Sequence, residues 1–225
     1  MIFMRDNKTS QSAIEYDVNV TKTIPKYQLF HDETINLIKL GKPTVESWLD
    51  TGSGTGTLIL KAIEHFKNIR FVAADPSKSM LDIAKEKLSG KDITYILAGS
   101  EELVCGDSFD VVTAIMVHHY LDIGDRIKAT QNCFRMLKEG GIYVTFETIR
   151  ANTEKGTQIG LRRWREAQLM NGKSIDAVDK HISRYGIELL PISIESHIEL
   201  LKEVGFSTIE ILWVSGMQAG FYAIK

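Results

Sequence analysis

Cysteine is scarce in this sequence: two in 225 residues, Cys105 and Cys133. Neither lies in a C-x-x-C pair or beside paired histidines. A disulfide framework and a cysteine-based zinc site are therefore not expected, and both residues read as free thiols in a reducing compartment. An excess of charge of one sign is lacking too. With 27 Lys and Arg against 29 Asp and Glu, the formal net charge is -2. No global basic field argues for nucleic acid; the sum describes the whole surface and leaves a local basic patch open. No stretch approaches the roughly 20 apolar residues of a membrane span. Met1 to Ser12 holds no apolar core of signal-peptide length. These absences lead to the expectation of a soluble, cytoplasmic protein with no membrane partner and no metal site. There is no internal repeat and no low-complexity segment. What is present is ordinary for a globular chain, at 44% hydrophobic and 25% charged residues. The length suits one domain, taken as 1–225, carrying an N-terminal cover (1–42) and a helical lid (150–190).

The stretch that organises the rest is Trp48-Leu49-Asp50-Thr51-Gly52-Ser53-Gly54-Thr55-Gly56-Thr57. Apolar residues run in from Val45 as in a buried parallel strand, three glycines follow at alternate positions, and an amphipathic run from Leu58 to Phe66 comes next. That order is strand, tight turn, helix. Glycines allow positive φ and a close approach to a ligand, and the helix offers unpaired N–H groups at its first turn. A nucleotide-like ligand belongs on such a loop. A dinucleotide fingerprint would want Gly or Ala where Thr57 stands. Asp50, at the end of the strand, would repel a pyrophosphate and attract an ammonium or sulfonium. S-adenosylmethionine (SAM) carries both cations and no phosphate. An NAD oxidoreductase is disfavoured on the same ground.

The flanking chain fits an alternating α/β order. Residues from Met1 to about Asn19 read as a loop or short helix over the site, and Ile24-Pro25-Lys26-Tyr27 as a proline turn into a helix from Tyr27 to about Lys39. A second buried strand covers Asn68 to Ala74. It ends at Asp75, about twenty residues beyond the glycine loop, where a ribose-binding acid is expected. A carboxylate can accept from both hydroxyls of a diol. Ser77 is a candidate N-cap for the helix that follows, to about Leu88. Further strands are expected over Ile93 to Leu97, Val111 to Val117 and Ile142 to Phe146. The run Asp107-Ser108-Phe109-Asp110 leads into the fourth, and a helix from Asp125 to Leu137 precedes the fifth, closed by Glu139-Gly140-Gly141. His118 and His119 fall at the carboxyl end of the fourth strand, where ligands lie in open parallel sheets. Residues 150 to 190 break the alternation with two helices, Thr157 to Met170 and Ser174 to about Tyr185. The first carries Arg162, Arg163, Trp164 and Arg165, and its three arginines also read as a solvated helix face. Glu195 to Val204 is a helix with Ser193 and Ser196 as candidate caps. Two closing strands, Gly205 to Val214 and Gly220 to Lys225, are joined by a short turn and so must be antiparallel. The fold expected is a Rossmann-like, doubly wound seven-stranded sheet, mostly parallel, with an antiparallel C-terminal strand and a small helical lid.

Asp50, Gly52, Gly54 and Gly56 match [D/E]-x-G-x-G-x-G, and the chain resembles the class I SAM-dependent methyltransferases in this motif. The resemblance extends to D-x-S-x-x-M-L from Asp75 to Leu81, to the run from Phe109 to Asp122, and to R-M-L-K-E-G-G with Glu147 at the end of the fifth strand. It implies SAM as cofactor and S-adenosylhomocysteine (SAH) as product. It places Met80 against the adenine face, Pro76 among the SAM contacts, and Ser100 and Glu101 on the adenine loop, although the Asp usual at 100 is missing. In such enzymes the 150–190 insertion often covers the acceptor. That makes Tyr120, Glu147, Arg150, Trp164, Arg184 and Tyr185 lid-side candidates, and His118 and His119 candidate bases for a hydroxyl or amine acceptor.

Over roughly residues 20 to 225 the chain is also similar to the carboxy-SAM synthase family of tRNA wobble-uridine modification. The likeness lies in I-P-x-Y, in S-I-E-S-H-I-E-L-L-K-E-V-G-F and in W-V-S-G-M-Q-A-G-F-Y-A-I-K. It implies that Tyr27, Ser53 and Ile115 join the cofactor contacts. Two departures count against a carboxylated cofactor: Ile115 where that family has Asn, and Ile182 near the place of its lid Arg, with Arg184 two residues on. The expectation is a methyltransferase using ordinary SAM on a small-molecule acceptor. A carboxy-SAM synthase-like enzyme acting with tRNA modification, or a non-catalytic SAM-binding protein, stands as the alternative. A homodimer through the lid is a further expectation.

Overall fold

The computed structural model describes residues 6–104, 106 and 108–225. Cys105, Asp107 and Met1 to Arg5 lie outside the described residues. Seven strands form one sheet: β1 (Ser47–Thr51), β2 (Arg70–Asp75), β3 (Ile93–Leu97), β4 (Phe109–Ile115), β5 (Leu137–Thr148), β6 (Thr208–Ser215) and β7 (Gln218–Ile224). The order across the sheet is β3-β2-β1-β4-β5-β7-β6. Pairing is parallel from β3 to β5, and β7 runs antiparallel to both β5 and β6. The continuous apolar runs explain the centre of the sheet, since every residue of β1 and β4 is buried.

Eight helices are present among the described residues: α1 (Ala13–Thr23), α2 (Tyr27–Gly41), α3 (Thr57–His65), α4 (Lys78–Lys87), α5 (Ile123–Met136), α6 (Glu154–Met170), α7 (Ile175–Ile182) and α8 (Ile194–Val204). Two cores flank the sheet. Trp48, Val111 and Val144 pack with α2 and α3 on one face, and Leu49, Val112 and Tyr143 pack with α5 and α8 on the other. Caps mark the helix starts as the sequence suggests. Ser77 Oγ accepts from Met80 N–H at 3.1 Å, and Ser193, not Ser196, caps α8 by accepting from Ser196 N–H at 3.1 Å.

Two boundaries differ from the expectations. The N-terminal segment forms a full 11-residue helix, α1. Its polar sequence hides this because packing on α2 and α4, not amphipathic strength, holds it in place. The fifth strand starts directly after α5, at Leu137, so Gly140 and Gly141 lie within it. The register jumps there, from Phe109↔Leu137 to Val111↔Ile142. Gly140 takes φ +68°, and a Cβ on Gly141 would stand 2.8 Å from Lys138 O. The glycine pair therefore makes a bulge, not a turn before the strand.

Candidate active site

The carboxyl ends of β1, β2, β3 and β4 open into a crevice of about 170 Å³. Gly52, Gly54, Asp75, Pro76, Met80, Ser100, Glu101, Ile115 and Tyr120 all line it. Gly52 and Gly54 both take positive φ, +63° and +54°, for different reasons. A Cβ on Gly52 would lie 2.3 Å from Val117 Cγ2, so the loop is pressed against the end of β4. A Cβ on Gly54 would meet nothing within 4 Å, which leaves open space for a ligand to come close to the backbone. Gly56 serves neither purpose: its missing Cβ makes room for Leu88, just past the end of α4, at 2.9 Å, and it does not line the crevice.

Asp75 is 7% exposed at the crevice wall. Its Oδ2 accepts from Gly54 N–H and its Oδ1 from Ser77 N–H, both at 2.8 Å. Burial raises its pKa and these two N–H groups partly offset the rise. Each oxygen keeps a further lone pair for another donor. Asp50 lies deeper, at 2% exposure, on a second cavity of about 30 Å³ shared with Tyr16, Tyr27, His31, Ser53 and Ile115. Trp48 Nε1–H donates to Thr113 Oγ1 at 3.0 Å, which turns the Thr113 hydroxyl onto Asp50 Oδ1 at 2.6 Å. Burial nevertheless pushes the Asp50 carboxyl up to about 7. Ser53 Oγ is buried there without a hydrogen-bond partner. An acid wanting a cation, an orphaned hydroxyl, a glycine facing empty space and an aligned diol acceptor fit an adenosyl group ending in an ammonium.

Several contacts of the crevice were not legible in the sequence. Asn132 of α5 donates to the carbonyls of Ser100 and Glu101 at 2.9 and 3.1 Å, bracing the loop after β3 from behind. The Ser100 hydroxyl shares a 2.7 Å hydrogen bond with Thr51 Oγ1, so it is engaged within the protein. Asp6 reaches α4 from the N-terminal segment, accepting from Ser79 N–H and Ser77 Oγ, both at 2.9 Å. Asp6, Asn7, Lys8, Thr9 and Tyr16 thereby complete the crevice wall. Only contact across some seventy residues reveals them.

His118 and His119 do not reach this crevice. Both are buried, at 3% and 1% exposure, in the short 3₁₀ turn His118–Tyr120. Glu147, fully buried, accepts from His118 N–H at 3.2 Å, His119 N–H at 2.9 Å and Thr145 Oγ1 at 2.7 Å, and pairs with His119 Nδ1 at 2.8 Å. Burial raises its pKa, but the His119 imidazole, with His118 and His197 nearby, holds the carboxyl down at about 2. His118 faces Arg126, Tyr143 and His197 on the α5–α8 side of the sheet, and burial lowers its pKa to about 4. The assignment of either histidine as a base is corrected: the strand end is right, but the turn sends both rings inward and Tyr120 outward. Glu147 likewise moves from lid candidate to anchor of that turn.

The remaining lid-side candidates separate. Trp164 is a structural pin: its Nε1–H donates to Thr23 O at 2.7 Å, tying α6 to α1. Arg184 is 7% exposed, with Nε–H donating to Glu188 at 2.8 Å, Nη2–H donating to Lys8 O, and its guanidinium 5.9 Å from the Tyr120 ring centre. Arg150 and Tyr185 do not line the crevice; they line an outer cleft that adjoins it at Leu121. Arg165 pairs with Asp179 at 2.7 Å, while Arg162 and Arg163 face solvent.

Comparison with known proteins agrees with this geometry. Residues 49–141 match the family described as a methyltransferase domain. The whole chain superposes on the plantazolicin methyltransferase in complex with SAH, with a TM-score of 0.70 at 12% identity, covering 95% of this chain and 88% of that one. A SAM-dependent methyltransferase from Thermotoga maritima gives 0.65 at 16% identity, covering 97% and 98%. Fold, crevice and domain match are those of a SAM-dependent methyltransferase, and the chain resembles class I in all three. Within that class it is similar along nearly its whole length to the carboxy-S-adenosyl-L-methionine synthase of Staphylococcus epidermidis, at 24% identity over 97% of this chain and 96% of the relative. It is also 27% identical to the malonyl-[acyl-carrier protein] O-methyltransferase of Bacillus cytotoxicus, over 77% of this chain and 65% of the relative. Among the described residues no helix is long and apolar enough to cross a membrane.

Proposed function

We propose that this enzyme transfers the methyl group of SAM to a small-molecule acceptor that enters beside Tyr120. The observation that carries the reading is the Asp75 carboxylate, fixed by Gly54 and Ser77 with lone pairs left for a ribose diol. Asp75 would hold the ribose, and Pro76, Met80, Glu101 and the backbone at Ser100 the adenine. Asp50, Tyr27 and Ser53 would face the amino-acid end across the smaller cavity, and Gly52, Gly54 and Ile115 would form the floor. When bound, SAM supplies an electrophilic methyl carbon on a sulfonium. The chain's own task is to align the acceptor and exclude water, which can account for several kcal/mol of the barrier. The α6–α7 hairpin and the N-terminal segment act as the lid. Tyr120, Met116 and Arg184 form the acceptor-side wall, and no histidine serves as base. The direct test is calorimetric titration with SAH and with NAD, then a labelled-SAM screen of cell extract with tRNA and small-molecule fractions assayed apart. SAH binding without turnover on any fraction would favour a non-catalytic SAM-binding protein. NAD binding without SAH binding would overturn the reading.

A carboxy-SAM synthase-like activity has one observation in its favour besides the full-length likeness: the Arg184 guanidinium stands over Tyr120. Mass spectrometry of the ligand co-purifying with the protein separates the two, since a carboxylated cofactor is heavier than SAM. Exposed Ile159, Met170 and Ile175 on α6 and α7 would support a homodimer through the lid, which light scattering would read out.

A further inference from the structure

We propose that the cleft between α1 and α7 binds an oxyanion, a phosphate monoester or a carboxylate, carried by the methyl acceptor. The link to the acceptor rests on the methyl-transfer reading; the cleft's own chemistry does not. The cleft measures about 610 Å³, larger than the cofactor crevice, and is lined by both helices and the turn before α7. Lys22, Lys173, Lys180 and Arg184 line it against only two carboxylates, Glu15 and Glu188. Glu188 is taken up by Arg184 at 2.8 Å. Lys22 and Lys180 are exposed and have no ion pair among the described residues.

Lys173 and His181 set the cleft apart from a solvated basic surface. The Lys173 ammonium is half-buried, and its hydrogen bonds go to neutral oxygens alone: Thr23 Oγ1 at 2.9 Å and Gln168 Oε1 at 3.2 Å. A partly desolvated cation without a counter-charge is a poor use of burial unless an anion completes it. Its pKa is lowered by that desolvation. His181 is 5% exposed on the inner wall, and its Nδ1 has no hydrogen-bond partner. The Trp164 ring backs it edge-on at 4.9 Å, so it cannot turn away easily. Burial first, then Lys173, Arg184 and His119, depress its pKa to about 3. At neutral pH it is an uncharged ring lining the cleft beside the Lys173 ammonium, so it adds polarity there without adding charge.

Arg184 connects the cleft to the chemistry. It lines the cleft, donates to Lys8 O and lies over the Tyr120 ring, and both Lys8 and Tyr120 line the crevice. The wall between anion site and crevice is thus one side chain and one strand of backbone thick. An acceptor with a charged end and a reactive end joins the two only when the Arg184 side chain swings aside; a cationic acceptor would meet the like charges of Lys22, Lys173 and Lys180.

The test is ¹⁵N NMR of the His181 imidazole, with and without SAH. The protein is titrated separately with inorganic phosphate, phenyl phosphate and succinate, with chloride at equal ionic strength as control. The expected result is a saturable shift and a raised His181 pKa in the phosphate arms or in the succinate arm, the stronger arm naming the oxyanion. The variant Lys22→Ala/Lys180→Ala, at exposed positions, should weaken that binding about tenfold, and Lys173→Gln more so, with SAH affinity unchanged. No saturable shift in any arm, a chloride response of equal size, or binding untouched by both variants would overturn the proposal. SAH binding that persists through such a failure leaves the methyltransferase reading standing. An RNA oligonucleotide shifting His181 where the small anions do not would also count against it.

Discussion

Asp50 offers the sharpest test, because its burial and its proposed task oppose each other. With one protein hydrogen bond, from Thr113, and with Asp75 nearby, its carboxyl is pushed from 3.8 to about 7. The sign follows from proton counting. Between those two values the folded state holds a proton that the unfolded chain has lost, so stability falls as pH rises from about 4 to about 7 and then levels. A shift from 3.8 to about 7, at about 1.4 kcal/mol per unit, corresponds to roughly 4 kcal/mol. Asp50→Asn keeps the acceptor for Thr113 and removes the titration. Urea unfolding at pH 5 and pH 8 should therefore show the unmodified protein losing roughly 3 kcal/mol more than Asp50→Asn, since about two of those units fall in that interval. The comparison between the two proteins cancels the buried histidines, which act in the opposite direction as pH falls. A ligand ammonium should reverse the balance by favouring the carboxylate. SAH binding near pH 7 should then release a proton in the unmodified protein, seen as a binding enthalpy that varies with the buffer's ionisation heat. Asp50→Asn should bind SAH at least tenfold more weakly and show no Asp50-linked release. Identical pH profiles for the two proteins would refute the argument about burial. Identical SAH affinities would refute the proposed contact with the ammonium.

Gly52→Ala should cost several kcal/mol and abolish SAH binding, since it forces a side chain into positive φ and within 2.3 Å of Val117 Cγ2; thermal melting and calorimetry check it. Gly54→Ala faces open space and should fold better than Gly52→Ala while still losing SAH. Glu147→Gln removes the buried partner of His119 and should destabilise by about 3–5 kcal/mol in chemical denaturation. With its carboxyl held at about 2, the Glu147 contribution is present above the ordinary 4.5 and is lost as pH falls toward about 2. Trp164→Phe deletes the donor to Thr23 O and should cost about 1 kcal/mol, with hydrogen exchange quickening first in α1.

Much of the architecture was written locally. The order strand, glycine turn, helix, the apolar runs of β1 and β4, the caps at Ser77 and Ser193, and the acids at 50 and 75 all follow from short-range rules. A strand's period, a turn's φ and a cap's hydrogen bond involve only neighbours. The closing β6–β7 hairpin belongs with them, because a short turn leaves its strands no other way to pair. What could not be read locally was direction and distant partnership. Whether His119 or Tyr120 faces the crevice depends on a 3₁₀ turn pulled inward by Glu147, 28 residues away. The strand that begins at Leu137 owes its start to pairing with Phe109, and the helix at Ala13 to packing on elements behind it. Asp6 meets Ser79 only once the sheet has formed, and His181 meets Lys173 across a turn that α1 and Trp164 hold in place. The sequence alone determined the glycine loop and the succession of strands and helices along the chain, because both are set by backbone conformation over a few residues. The tertiary structure alone decided which polar side chains face the ligand and which face one another, because that choice turns on burial shared between segments far apart in the chain.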